Sequence, residues 1–161
     1  MTTHANSTTP HPAERFGEAA KELIEYFAAI GFDSAGLAAH LGPDYLSALH
    51  RGDPGALRFR TQQATEFDQL IQAFILRDPV EKEDFSQLLG ADLADRVIDA
   101  NIAVCNGPAI VRVVIDVRPH VINGKPRWVF SDPDAAMVRQ DAAEDHVPGV
   151  GAASLSLLQL S

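Results

Sequence analysis

The chain has 161 residues, one cysteine and a formal charge of −9. That length can bury the core of one domain. The charge excludes a generally basic nucleic-acid-binding surface, and the lone Cys105 excludes an internal disulfide or a multi-cysteine metal site. No apolar run approaches the roughly 20 residues of a membrane span, and the polar N-terminus lacks a signal-peptide apolar region. The chain therefore reads as cytosolic, with no membrane partner.

Residues 1–12 carry Thr, Ser, Asn, His and Pro without periodicity and read as a disordered tail. Residues 13–61 read as an N-terminal helical subdomain and loop. Phe16, Ala20, Leu23, Phe27 and Ile30 alternate spacings of four and three, which places them on one helix face. Gly31 is the expected C-cap. Asp33 or Ser34 caps a second helix ending at Gly42, and Pro43 opens a third to His50. Residues 51–61 read as a loop through Gly52-Asp53-Pro54-Gly55. Arg51, Arg58 and Arg60 with Phe59 make it the most basic stretch.

Residues 62–132 read as one winged-helix unit. Thr65 caps a helix striped by Phe67, Leu70, Ile71, Phe74 and Ile75, and Asp78-Pro79 ends it. Glu81 to Leu89 and Asp92 to Ala100 form two more helices, separated by Gly90. Ile102 to Cys105 read as a strand in which Cys105 is a small buried side chain. Asn106-Gly107 predicts a hairpin turn. Residues 109–118 then read as one strand, with Val111, Val113, Ile115 and Val117 on one face and Arg112, Asp116 and Arg118 on the other. Pro119 is expected to end the pairing. Asn123-Gly124 makes another turn, and Arg127 to Ser131 return as a third strand. The fold class expected is α+β, mainly α: a helical bundle followed by a winged helix.

A winged helix raises the question of DNA reading, and charge answers it. Residues 66–99 hold nine acids (Glu66, Asp68, Asp78, Glu81, Glu83, Asp84, Asp92, Asp95, Asp99) and three bases (Arg77, Lys82, Arg96), a net −6. The candidate recognition helix sets Asp92, Asp95 and Asp99 against Arg96, which opposes entry between two phosphate backbones. Residues 101–131 set Arg112, Arg118, Lys125 and Arg127 against Asp116, a net +3. Nucleic acid is therefore not an expected partner. The unit reads instead as a packing or protein-contact module.

Catalytic motifs are missing. His40, His50, His120 and His146 lack metal-ligand spacing, and no HExxH, CxxC, P-loop or G-x-S-x-G occurs. Gly149-Val150-Gly151-Ala152-Ala153-Ser154 imitates a dinucleotide fingerprint but follows His146-Val147-Pro148 and not a buried strand. The leucines at 155, 157, 158 and 160 suggest a surface that packs on something else.

Four segments carry a family resemblance. Phe74-Ile75-Leu76 followed by Pro79 matches an "FLL…PV" segment, Asp116-Val117-Arg118-Pro119 a "DLRPY" segment, and Val129-Phe130-Ser131-Asp132 a "VVSDLD" segment. The most specific is Asp145-His146-Val147-Pro148-Gly149-Val150-Gly151-Ala152-Ala153-Ser154-Leu155-Ser156-Leu157, close to "DHVLGVGGAS-x-x-L". On these residues the chain resembles the N-terminal region of actinobacterial S-adenosylmethionine-dependent methyltransferases related to the HemK/PrmC type. The resemblance implies a substrate-recognition and packing domain without catalytic activity by itself. It implies S-adenosylmethionine (SAM) as cofactor of the full-length protein, with no cofactor, catalytic or metal residue in this chain. Residues 133–161 are then a linker and docking segment toward a catalytic methyltransferase domain, with Asp145, His146, Gly149, Gly151 and Ser154 as hinge. Arg58, Arg60, Arg112, Arg118 and Arg127 are the exposed candidates for contact with a methyl acceptor. A protein acceptor suits the acidic surface better than RNA. The alternative is a non-enzymatic winged-helix regulator or protein-interaction module, expected as a homodimer.

Overall fold

A computed structural model of the chain describes residues 9–131. The fold is α+β and mainly α. Helix α1 spans Pro12–Ile30. Its start is fixed by a reciprocal cap, in which the His11 ring accepts from the Ala13 N–H and the Glu14 carboxylate accepts from the His11 N–H. Ala19, Ala20, Leu23, Ile24 and Phe27 are its buried stripe. Gly31, at φ 76°, turns the chain out of the helix. Helix α2, Ser34–Leu41, is capped by Asp33, which accepts from the Gly36 N–H at 2.8 Å.

Gly36 is where backbone meets backbone. A Cβ there would collide with the carbonyl oxygen of Gly31. Gly36→Ala should therefore cost about 1–3 kcal/mol by overpacking. Thermal unfolding followed by circular dichroism measures it, and an unchanged midpoint would contradict the close approach.

Helix α3 spans Pro43–Arg51. The expected loop at 51–61 is instead mostly helix, α4, Pro54–Arg60. The same residues that signal a turn also start a helix. Gly52 takes φ 69°, Asp53 accepts from the Ala56 N–H, and Pro54 occupies the first helical position, where its missing N–H costs nothing.

Helix α5, Glu66–Leu70, is capped by Thr65 and runs straight into a π-helical turn, Ile71–Ile75. Leu76 N–H reaches the Ile71 carbonyl and Asp78 N–H the Gln72 carbonyl, each at 2.9 Å. Arg77 leaves this turn at φ 53°. A two-residue strand β1, Val80–Glu81, follows, then α6, Lys82–Leu89, and α7, Ala91–Asp99. Strands β2, Ala103–Asn106, and β3, Ile110–Val113, form a hairpin. The short β1 pairs on the other side of β3, giving a three-stranded antiparallel sheet in the order β1–β3–β2. Cys105 is exposed, contrary to expectation. It lies on the edge strand, beyond the buried Ala103, where the hairpin leaves the core.

The single strand expected over 109–118 is two. The chain leaves the first sheet at Val114, whose N–H meets the Ile102 carbonyl, and enters a separate ribbon. That ribbon pairs β4, Asp116–Ile122, with β5, Lys125–Ser131. Pro119 does not end the pairing; it faces Trp128 within β4. A two-stranded ribbon has an open edge on each strand, where a missing N–H is tolerated. Asn123 at φ 53° and Gly124 at φ 74° close it with the two-residue turn that such a ribbon favours.

One core runs through all of this. Phe27 and Phe32 from the first third pack with Phe74, Phe85, Trp128 and Phe130 in the same buried cluster. Phe74 meets Phe27 edge-on at 5.1 Å. The Trp128 indole donates to the Phe32 carbonyl at 3.0 Å, tying β5 to the end of α1. Among the described residues, no helix is long and apolar enough to cross a membrane.

Candidate functional site

The five candidate arginines do not form one exposed patch. Arg58, on α4, clamps Asp78 with two nitrogens: Nη2 donates to Oδ1 at 2.7 Å and Nε to Oδ2 at 3.0 Å. Those hydrogen bonds push the guanidinium pKa up. Arg112, on β3, donates from Nε to the Arg77 carbonyl at 3.0 Å. Arg58 and Arg112 therefore converge on the two residues that follow the π turn. Arg60 points elsewhere, donating to the His40 carbonyl at 2.6 Å. Arg118 and Arg127 stand on the ribbon, and Arg118 donates to the buried Asp116 at 2.9 Å.

All five are half-buried, not exposed as expected. Arg58 and Arg118 bond the carboxylates of Asp78 and Asp116, and Arg60 and Arg112 bond backbone carbonyls; that of Arg77 lies where the chain leaves the π turn at positive φ. Arg77 itself is buried to 1% exposure. This corner combines a π turn, a non-glycine residue in the left-handed region and buried charge. Its chemistry is charge neutralisation and positioning. Among the described residues, no group of three His, Cys, Asp or Glu side chains could hold a metal ion.

The sequence reading passed over a second constellation. His40, on α2, meets the fully buried Asp68 on α5 at 2.6 Å, Nε2 to Oδ1. Its ring lies on Phe67 with centroids 4.7 Å apart. Asp68 also completes the α5 cap, accepting from the Thr65 N–H while its own N–H donates to the Thr65 hydroxyl. Burial pushes the Asp68 carboxyl up; the hydrogen bonds from His40 and Thr65 outweigh it and leave the carboxyl below the usual range. A histidine oriented by an aspartate is half of a nucleophile-activating triad. The Thr65 hydroxyl beside Asp68 is engaged in the cap, so the pair acts as a tie between helices. A separation of 28 residues leaves no periodic trace by which sequence could find it.

A third feature is a cleft of about 260 Å³ between α5 and α6, lined by Glu66, Gln69, Asp84, Gln87 and Leu88. Tyr26 reaches two of the lining residues, donating to the Leu88 carbonyl at 2.6 Å, with Glu66 at 3.5 Å. Burial, then the neighbouring Glu66, raises the Tyr26 hydroxyl pKa to about 12. On α7, Asp92, Asp95 and Asp99 face outward. Its one cation, Arg96, is bound to Glu22 of α1 at 2.5 Å. The hinge residues Asp145, His146, Gly149, Gly151 and Ser154, with the whole 133–161 segment, lie outside the described residues.

Comparison with known proteins gives one match. A family model described as a domain of unknown function, DUF7059, covers residues 29–113, from the end of α1 to the end of β3. No curated protein and no solved structure matches. The matched span is just over half of the chain, and it contains the π turn, the His40–Asp68 tie and the Arg58–Asp78 clamp. The chain belongs to the DUF7059 family.

Proposed function

We propose that this chain is the substrate-recognition and packing domain of a SAM-dependent methyltransferase related to the HemK/PrmC type. The observation that carries the reading is the Asp145–Leu157 segment, which resembles the approach to the catalytic domain in those enzymes. The architecture supports it. A helix, a short strand, two helices and a hairpin, with sheet order β1–β3–β2, is the order of a winged helix, the element expected ahead of the catalytic domain.

The α5–α6 cleft is a poor match to the cofactor itself. At about 260 Å³, it is smaller than the roughly 300–1,000 Å³ of small-molecule sites. None of the five described strands runs into a Gly-rich turn at a helix N-terminus. The reading therefore assigns the cofactor, and all bond-making, to a separate catalytic domain. This chain's part is to hold the methyl acceptor, a protein in preference to an RNA because its helical surface is acidic.

Calorimetric titration of the 161-residue chain with SAM should show no binding, and micromolar binding overturns the reading. The reading frame beyond the Ser161 codon should encode a strand, a Gly-rich loop and an Asn-Pro-Pro-Tyr-type motif. The same sheet order also suits a winged-helix regulator. Low-salt gel shift separates the two, because a regulator acting on DNA must shift a duplex, whereas the outward acids of α7 predict no shift.

A further inference from the structure

Two features are left unused by the reading above, and they match each other. The first is the end of the β4–β5 ribbon. Its base is anchored by the buried Val117, Trp128 and Phe130. Its last three rungs, His120↔Arg127, Val121↔Pro126 and Ile122↔Lys125, extend past that anchor. Every residue from 120 to 126 is exposed, including Val121 at 62% and Ile122 at 41%. Three rungs reach about 10 Å. Pro119 and Pro126, one on each strand, remove ladder donors and oppose strand addition. The tip is therefore built to engage through its side chains. Residues 119–126 offer two aliphatic groups, Lys125 and His120, and no carboxylate.

The second feature is the α5–α6 cleft, whose lining combines the carboxylates of Glu66 and Asp84, the amides of Gln69 and Gln87, and Leu88. It is the size of a few side chains. Its charge is opposite to that of the tip, and its walls supply hydrogen-bonding amides. An aliphatic anchor set in a pocket lined by polar and charged groups is common anatomy for a protein contact.

We infer that the β4–β5 tip docks into the α5–α6 cleft of a second copy of this chain. Exchanged reciprocally, the contact is two-fold and closes as a dimer. Nucleic acid is a poorer occupant of the tip. Residues 9–115 hold sixteen acids against nine bases, a net −7, so a phosphate backbone meeting Lys125 would also meet an anionic body. The inference does not depend on the methyltransferase reading.

Sedimentation equilibrium of the 161-residue chain, from about 1 to 200 μM, tests it. The wild type should form dimers that weaken as salt rises. Val121→Asp and Lys125→Glu, both at exposed positions that leave the fold intact, should each weaken dimerisation about tenfold or more. The cleft variant Glu66→Lys with Asp84→Lys should do the same. Mixing Lys125→Glu with the cleft variant should restore a mixed dimer, because each tip then meets a cleft of opposite charge. A wild type that stays monomeric throughout, a dimer indifferent to both sets of variants, or a monomer that instead shifts duplex DNA through Lys125 overturns the inference.

Discussion

Trp128→Ala is expected to lower the free energy of unfolding by about 4 kcal/mol, the middle of the range for a buried large aromatic. Trp128 is 6% exposed and stacks on Phe27, with centroids 6.4 Å apart and planes at 29°. Its indole N–H is the donor that the Phe32 carbonyl receives at 3.0 Å. Alanine removes the ring and leaves a cavity between the ribbon and α1. It also leaves a buried carbonyl without that donor, a penalty of about 1–3 kcal/mol by itself. Trp128→Phe separates the two contributions: it keeps most of the volume, loses the donor, and should cost about 1–2 kcal/mol. This is the one tryptophan of the chain, so fluorescence cannot follow the variants. Urea unfolding by circular dichroism at 222 nm can, with a midpoint drop of about 2 M for alanine. A drop too small to resolve would mean that the ribbon is not packed on the helical body.

Helix ends were legible because each carries a chemical mark. Gly31, Asp33, Pro43, Thr65 and Gly90 each cap or open a helix where their residue type predicts. The same rules hid α4, because Gly52-Asp53-Pro54-Gly55 satisfies the chemistry of a turn and of a helix start equally well. The π turn was invisible for a different reason. Residues 70–76 are apolar except for Gln72, so a wider turn leaves the stripe unbroken. Strand β1 is too short to show a period. The division of 109–118 was lost because Val111, Val113 and Val117 are all buried, although they belong to two different sheets. Interior apolar alternation does not say which sheet covers it. The arginines were read as exposed contacts for a substrate, and their partners within the fold were beyond sequence reasoning. Arg58 and Arg112 bond across 20 and 35 residues, to the Asp78 carboxylate and the Arg77 carbonyl.

The His40–Asp68 tie should give the clearest pH signature. Asp68→Ala is expected to cost about 3 kcal/mol, at the lower end for removing one partner of a buried, charge-assisted hydrogen bond. The lower end applies because His40 keeps 22% of its side-chain surface and can turn to water when its partner goes. The loss still exceeds an ordinary cap removal, since Asp68 is fully buried and the Thr65 N–H loses its acceptor as well. His40→Ala should cost less than Asp68→Ala, and the double-mutant cycle should leave a coupling of about 1–2 kcal/mol at neutral pH. The pH dependence follows from the lowered carboxyl pKa. The unfolded chain takes up the Asp68 proton at higher pH than the folded one. The stabilisation is therefore complete above the unfolded value of about 4 and is lost as pH falls through the lower folded value. Asp68→Asn keeps the shape of the side chain but removes the titration. Its stability should fall less steeply than wild type on the acid side, and the two curves should approach each other at the lowest pH. Urea midpoints collected from pH 7 downward provide the comparison, and parallel curves would show that His40 and Thr65 do not hold the Asp68 charge in the folded state.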